Sequence, residues 1–552
     1  MKKRYKLLIA SIIIFIGLVA IFEMLVIIDP PHIQDESILK NKRTRISNNI
    51  YKFEDSWLKK NKYGLWEMYV SGGPFEIGAK NGILTKELQE YQESVFVESI
   101  REIIPSDFYL NFLKYFIAWF NRDIDKHIPL EYQKEIYGVS KNASDEFSFI
   151  APNYHRMLNY HAAHDIGHTI QNMNLVACTA FGVRNSLSED STLLIGRNMD
   201  FSSGDKFAKN KIISFYKPKD GYKFVYVTWA GLIGVISGMN DQGLTISLNA
   251  AKSEIPTTAK TPVSILAREI LQYASTIEEA YKIAQQYETF VAESFFISSA
   301  KDNNMAIIEK TNDKIALYYS GKDRIISTNH YQSDTFKNRI LTIENIKESD
   351  SQYRWNRVEE LLNKKKKHNV QSFVNILRNQ KGKNGKNIGM GNEKAMNQLI
   401  AHHSVVFKPE QLQMWVSVGP YQLGEYLCYN LNTVFSDTLD ILKPIYNRNL
   451  TIEKDPFIDS QEFKNYKLYK QQTKIIFNAI DKDSLQSFNN EYIQNYIQLN
   501  PKFYYTYYTV GEYYRNINDN KTALKYYNIA LDKEIPRKAN AELIQEKIKL
   551  IK

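Results

Sequence analysis

A layered α+β fold is what this 552-residue sequence predicts, and three observations carry the prediction. From about residue 30 to 177 apolar residues recur at helical spacing, as in Leu84 to Ile103 (LTKELQEYQESVFVESIREI). At Cys178 the pattern changes to short β-type runs: CTAFGVRN, STLLIGRN, KIISFY, YKFVYVTW and GLTISLN. Strand blocks then alternate with helical stretches in groups, without strict βαβ units, which favours layers over a parallel doubly wound sheet.

Composition narrows the class. Hydrophobic residues make up 43 % and charged residues 24 %, as in globular chains. At about 150 residues per domain the length suggests three or four units. The net charge of +10 comes without a basic stripe interleaved with aromatics, so nucleic acid is not an expected partner. Two cysteines, Cys178 and Cys428, are too few for a disulfide framework or a Cys-based zinc site.

At the amino end, Lys2, Lys3, Arg4 and Lys6 precede a 22-residue apolar run from Leu7 to Ile28. That run is long enough to cross a hydrocarbon layer about 30 Å thick. With no small-x-small cleavage site before Asp29-Pro30-Pro31, residues 1–29 are expected to be an uncleaved anchor rather than a removed signal. The flanking charges place the amino end in the cytoplasm and the rest of the chain on the extracytoplasmic side.

The next segment, residues 30–177, is expected to be mainly helical. The strands from Cys178 are separated by turn signals at Ser188-Glu189-Asp190 and Lys219-Asp220-Gly221. Helices are expected at Val263 to Ala274, Ile277 to Tyr287, Arg354 to Leu362 and Gln371 to Arg378, with strands SFFISSA, MAIIEK, KIALYYS and RIISTN between the first pair and the second. Gln380 to Asn392 reads as a surface loop, and LIAHHSVVF and LQMWVSVG as late strands. Within 451–552, Tyr507, Val510, Gly511, Tyr514, Ala523, Tyr527, Ala530 and Pro536 follow the packing pattern of a tetratricopeptide repeat; a plain helical hairpin is the alternative. This tail is expected to be scaffold or a docking surface for a protein partner.

Cys178 opens a strand after the small residue Ala177, and a lone cysteine is by default a small buried hydrophobe. A reactive thiol needs neighbours that favour the thiolate and a base to take its proton. An antiparallel return after Ser188 to Asp190 brings Arg197 and Asp200 back towards Cys178. Other candidates weigh less. His164 and His168 lie four apart but lack a third ligand, and a packing role is favoured. His402 and His403, consecutive in a strand, are expected on opposite faces. Lys364 to Lys367 reads as a solvated helix end, and Cys428 (EYLCYNL) as core.

Five motifs in one order resemble the peptidase C45, acyl-CoA:6-aminopenicillanic acid acyltransferase-like family of N-terminal-nucleophile hydrolases, relatives of choloylglycine hydrolase and penicillin V acylase. They are Cys178-Thr179, Arg197-Asn198-Met199-Asp200, MNDQGLTISLN ending at Asn249, Thr328-Asn329, and Arg354-Trp355-Asn356-Arg357. Upstream, GGPFEIGAKNG (Gly72 to Gly82) resembles a segment of the C45 pro-region, and the similarity spans roughly residues 70 to 420. The resemblance implies an αββα four-layer sandwich over 178–450 and self-cleavage between Ala177 and Cys178. It further implies a Cys178 acyl-enzyme whose freed α-amine serves as base, Asp200 holding the ammonium and Arg197 supporting the thiolate. Asn329 and Asn249 would stabilise the oxyanion, and Arg354 would brace the site. The implied activity is hydrolysis or acyl transfer on a non-peptide amide, with no cofactor and no metal and a small-molecule acyl amide or lipid as substrate. An ester or phospholipid acyl hydrolase on the same fold, or a non-catalytic adaptor working through the tail, are the alternatives.

Overall fold

The computed structural model describes residues 2–551 apart from 105, 172–175, 202–203, 255, 257, 290 and 482–487. Two antiparallel-rich sheets lie face to face. The larger runs β1 (Thr44–Ser47), β2 (Ile50–Phe53), β3 (Ser56–Lys60), β4 (Trp66–Gly72), β7 (Ile212–Pro218), β8 (Phe224–Thr228), β9 (Ser237–Asn240), β10 (Leu244–Ala250), β11 (Glu293–Ser299), β12 (Asn304–Lys310), β13 (Ile315–Tyr318) in that spatial order. The smaller runs β14 (Arg324–Ser327), β5 (Val176–Val183), β6 (Leu194–Phe201), β15 (Ala401–Lys408), β16 (Gln413–Ser417), β17 (Tyr426–Asn430), β18 (Asn447–Ile452). Every neighbouring pair is antiparallel except β4 with β7.

The helices are α1 (Lys2–Val26), α2 (Pro74–Ile103), α3 (Asp107–Phe120), α4 (Leu130–Ser140), α5 (Asn153–Gln171), one-turn α6 (Gly204–Phe207), α7 (Val263–Tyr273), α8 (Ile277–Gln286), α9 (Ile340–Glu348), α10 (Ser351–Leu362), α11 (Val370–Leu377), one-turn α12 (Leu431–Val434), α13 (Gln461–Asp481), α14 (Asn490–Leu499), α15 (Tyr504–Asn516), α16 (Asn520–Leu531) and α17 (Lys538–Ile551).

Three apolar cores follow from the pleat, since alternate residues of a strand face opposite sides. Ala180, Ile195, Phe215, Val225, Phe296 and Val405 fill the space between the sheets. Met68, Tyr226, Ile246, Leu266 and Ile270 lie under the helices on the outer face of the large sheet. Phe181, Leu194, Val358, Phe373 and Val406 lie under α10 and α11 on the outer face of the small one. Helix, sheet, sheet, helix is therefore the layering, a mixed α+β architecture as the sequence predicted.

The motif Met239-Asn240-Asp241-Gln242-Gly243-Leu244 is the turn between β9 and β10. Asn240 Oδ1 accepts from the backbone N–H of Gln242 and Leu244, at 3.1 and 3.0 Å, and its Nδ2 donates to the Leu271 and Ala274 carbonyls of α7. Gly243 sits at φ 76°, where any Cβ would lie 2.7 Å from that of Ala300. The upstream motif caps α2: Gly73 precedes Pro74 at the first turn, and Glu76 accepts from the Gly73 N–H. A Cβ on Gly78 would strike the Glu135 carbonyl, so that glycine is what lets α2 and α4 cross closely.

Two expectations are corrected. Residues 30–177 are helical over α2–α5, yet 44–72 forms four strands that extend the large sheet. And 380–392 is no free surface loop: Asn500 exchanges hydrogen bonds with the Met390 backbone, Asn392 is buried and donates to the Glu534 carbonyl, and Lys386 and Lys394 pair with Glu534. The segment joins the sandwich to the tail, whose helices α13–α17 share a core of their own around Tyr469, Tyr496, Val510, Tyr527 and Ala530. Lys364–Lys367 is exposed and Cys428 is buried on β17, as read. The side chains of His164 and His168 lie outside the described residues.

Candidate active site

The chain is continuous through Ala177 and Cys178, both within β5 and both buried. Register with β6 sorts the neighbours by face. Cys178 pairs with Met199 and Ala180 with Arg197, so Cys178 and Arg197 share the face between the sheets. Ala177 pairs with Asp200 and Thr179 with Asn198, so Asp200 lies on the opposite face, under α10. The sequence reading put both beside the thiol; the pleat separates them, Arg197 going to the sulfur and Asp200 to the backbone side.

Arg197 Nη2 donates to Cys178 Sγ at 3.4 Å and to the Leu248 carbonyl at 2.7 Å, while Nη1 donates to Ser237 Oγ at 2.8 Å and approaches His403 Nε2 at 3.1 Å. On the other face, Arg354 Nη1 donates to the Cys178 carbonyl and to Thr179 Oγ1, each at 2.7 Å, and Nη2 to Asn329 Oδ1 at 2.6 Å. Asp350, one helical turn earlier, steadies Arg354 through Nε at 3.3 Å. Asn329 Oδ1 also accepts from the Cys178 N–H at 3.0 Å. The amides of the two asparagines are committed elsewhere: Asn329 Nδ2 donates to the Ala250 carbonyl at 2.8 Å, and Asn249 Nδ2 to the Ser327 carbonyl and hydroxyl at 3.0 Å. In the uncut chain, then, the two expected oxyanion donors hold backbone in place.

Electrostatics match this geometry. Burial pushes the Cys178 thiol up to about 11, opposed by Arg197; Glu293 and Asp200 add to the rise and Arg354 counters it. Burial likewise pushes Asp200 up to about 7, against the pull of Arg354 and Arg197. Neither Asp200 oxygen accepts a hydrogen bond among the described residues. A buried carboxylate without a partner is costly, and this one lies opposite Ala177, one residue before the Cys178 nitrogen that cleavage of the Ala177–Cys178 bond would free as an ammonium.

A cavity of about 1260 Å³ opens beside the site, lined in part by Ala177, Asn329 and Arg354. Leu110, Leu113 and Ile117 of α3 also line it, as do Arg537 and Lys538 at and just before the start of α17. The tail is thus part of the cavity. Sequence reasoning missed Ser237 and Asp350 and set His403 aside with His402; only Asp350 left a local signal, its i,i+4 spacing before Arg354.

Two facing sheets between layers of helices give a mixed α+β fold similar to that of the N-terminal-nucleophile hydrolases. Residues 187–421 match the family described as acyl-coenzyme A:6-aminopenicillanic acid acyl-transferase. The match begins past Cys178 and takes in Arg197, Asp200, Asn249, Asn329 and Arg354. An uncharacterized protein of Archaeoglobus fulgidus is 24% identical over 277 residues, 46% of this chain and 45% of its own length; the chain thus spans about half of that relative. N-acylethanolamine-hydrolyzing acid amidase of Caenorhabditis elegans is 25% identical over 280 residues, 48% of this chain and 74% of that protein. The structure of penicillin V acylase from Agrobacterium tumefaciens, 15% identical, covers 48% of this chain and 89% of that one with a TM-score of 0.32.

Proposed function

We propose that this chain is a self-processing cysteine amidase or acyltransferase that cuts itself between Ala177 and Cys178 and then acts on a non-peptide amide with a long apolar acyl chain. The observation that carries the reading is the convergence of Arg197 on the Cys178 sulfur, and of Arg354 and Asn329 on the Cys178 carbonyl and N–H, next to a large cavity that Ala177, Asn329 and Arg354 line.

In the uncut chain Sγ attacks the Ala177 carbonyl carbon. The C–N bond breaks, the thiol proton passes to the departing nitrogen, and water hydrolyses the thioester to an Ala177 carboxylate. The freed α-amine, ordinarily with a pKa of about 7.7–8.0, supplies the base that the site otherwise lacks. Burial holds the Cys178 thiol protonated at neutral pH, which is why turnover needs a base beside it. In turnover Cys178 takes the acyl group, the amine hands its proton to the leaving nitrogen, and water or an acceptor amine releases the acyl group.

The N-acylethanolamine-hydrolyzing relative supports a fatty amide as substrate, and so do the apolar α3 side chains that line the cavity. A membrane location is supported by α1, long and apolar enough to cross a bilayer and unburied along its length. Phe22 of α1 stacks on Trp119 of α3 and meets Tyr115 edge-on, with ring centroids 6.0 Å apart in both pairs. Helix α3 exposes Phe108, Phe112 and Phe116 beside this contact. We read α3 as lying along the bilayer surface outside the cytoplasm, with the cavity behind it.

The purified full chain should run as two bands on a denaturing gel, and Cys178→Ala as one band without amidase activity towards N-acyl amines. A wild-type chain that stays whole and still turns over such amides would overturn the self-cleavage. Equal activity in Cys178→Ala would overturn the nucleophile.

A further inference from the structure

His402 and His403 were expected on opposite faces of a strand, and a β-bulge puts them together. Ala401 pairs with Asp200 and His403 with Met199, so the β6–β15 register slips by one residue at His402. Both rings are buried, with Nδ1 of one 2.9 Å from Nδ1 of the other. His403 Nε2 faces Arg197 Nη1 at 3.1 Å and Ser237 Oγ at 2.8 Å.

The proton inventory follows from the arginine. A guanidinium only donates, so His403 Nε2 must accept and its ring is neutral with the proton on Nδ1. That Nδ1–H can donate only if His402 Nδ1 is bare, so His402 carries its proton on Nε2. Burial and the nearby charges of Arg197 and Lys211 hold both rings neutral. His402 Nε2 has no hydrogen-bond partner among the described residues and is packed behind Trp229 and Phe207, which line the cavity.

We propose that His403 is a positioning residue for Arg197, and that His402 fixes the tautomer this requires. The chemical sense lies in what His403 is not. Among the described residues no carboxylate is in ion-pair contact with Arg197; its partners are Ser237, His403, the Leu248 carbonyl and the thiol. A neutral acceptor aims the guanidinium without consuming its charge, and that charge stays available to the sulfur. A carboxylate in the same place would orient the arginine equally well and leave the thiolate weakly supported.

This inference rests on the reading of Cys178 as nucleophile, and its test does not need turnover. The ultraviolet absorbance of the thiolate, taken as the difference between the full-length protein and Cys178→Ser, titrates the sulfur whether or not the chain has cut itself. In His403→Leu the midpoint should rise by about one unit, a tenfold loss of thiolate at a fixed pH below the midpoint. His403→Gln, which keeps an acceptor near Nε2, should titrate close to wild type. His402→Phe, which frees the tautomer, should shift upward like His403→Leu. A wild-type midpoint in folded His403→Leu, or in His402→Phe should His403→Leu fail to fold, overturns the proposal. So does a His403→Gln variant as shifted as His403→Leu, which would make the ring mere packing. The predicted shifts in a protein without Cys178-dependent cleavage or turnover would sink the proposed function and leave this coupling standing.

Discussion

Asp200 carries a carboxyl that burial pushes up to about 7 in the uncut chain. An acid whose folded pKa exceeds its unfolded value binds its proton longer in the folded state. Stability therefore falls as pH climbs from about 4 to about 7 and levels off above. In the uncleavable Cys178→Ala background, Asp200→Asn should remove this contribution. The stability gap in favour of the double variant should grow from near zero at pH 4 towards about 4 kcal/mol at pH 8, at about 1.4 kcal/mol per unit. The proposed cut would reverse the sign: a new ammonium near Asp200 would pull the carboxyl down, and the contribution would become one present at neutral pH and lost on acidification. Thermal melts of both backgrounds across that range check both halves; a gap that does not change with pH contradicts the burial argument. Cys178, Arg197, Asn329 and Arg354 were legible in the sequence because each sits in a local motif. His403 was not, because its role depends on a one-residue slip between strands two hundred residues apart, and no local period encodes a bulge.

Strands β5–β8 and β10–β16 fell where short β-type runs stood, because such runs are apolar enough to read alone, whereas the short β9 and β17 were not read as strands. The first four strands were illegible for the opposite reason. SWLKK and WEMYVSG carry charges at strand positions, and they become a sheet only by pairing with one another and with β7, far along the chain. Buried Glu67 accepts from Asn61 at 2.7 Å and from Tyr429 of the small sheet at 2.9 Å, and the second partner lies far outside any window around 67. Helix α3 is legible as amphipathic, but it exposes the aromatic side, against the usual rule for a soluble chain. If that side meets lipid, full-length protein in which Phe112 and Phe116 are both serine should keep its anchor and its self-cleavage, with slower turnover of a vesicle-borne fatty amide. A form lacking residues 1–28 should bind anionic vesicles, and the same two substitutions should weaken that binding at least tenfold, since burying each phenylalanine is worth about 2 kcal/mol. Unchanged co-sedimentation would remove α3 from the membrane.

At the scale of the molecule, the division into an apolar N-terminal helix, a helical leader, a sandwich and a tail describes the chain order better than the packing. The leader supplies β1–β4 and the face-covering helices α2, α4 and α5, and the tail's α17 lines the cavity that the leader's α3 also lines. A cut at 177, in β5 of the smaller sheet, would therefore leave the eleven-stranded sheet shared between two pieces. The two pieces stay paired along β4–β7, from Trp66 opposite Ile212 to Gly72 opposite Pro218. Lys59 Nζ donates to the Ile441 carbonyl at 2.9 Å from the first piece to the second. Phe53, Leu58, Met68 and Val70 of the first piece are buried, and each such side chain contributes about 1.5–3 kcal/mol as an upper estimate. Cleavage should then leave a complex that behaves as one folded unit. In mild detergent the processed protein should elute as a single species holding both pieces, matching the uncut 64.3 kDa chain of Cys178→Ala, while a denaturing gel resolves two. In a urea series the pieces should part only at the concentration where tryptophan fluorescence reports global unfolding. Separation well below that midpoint would mean that the β4–β7 seam does not hold the halves, and that the catalytic fold belongs to residues 178–552 alone.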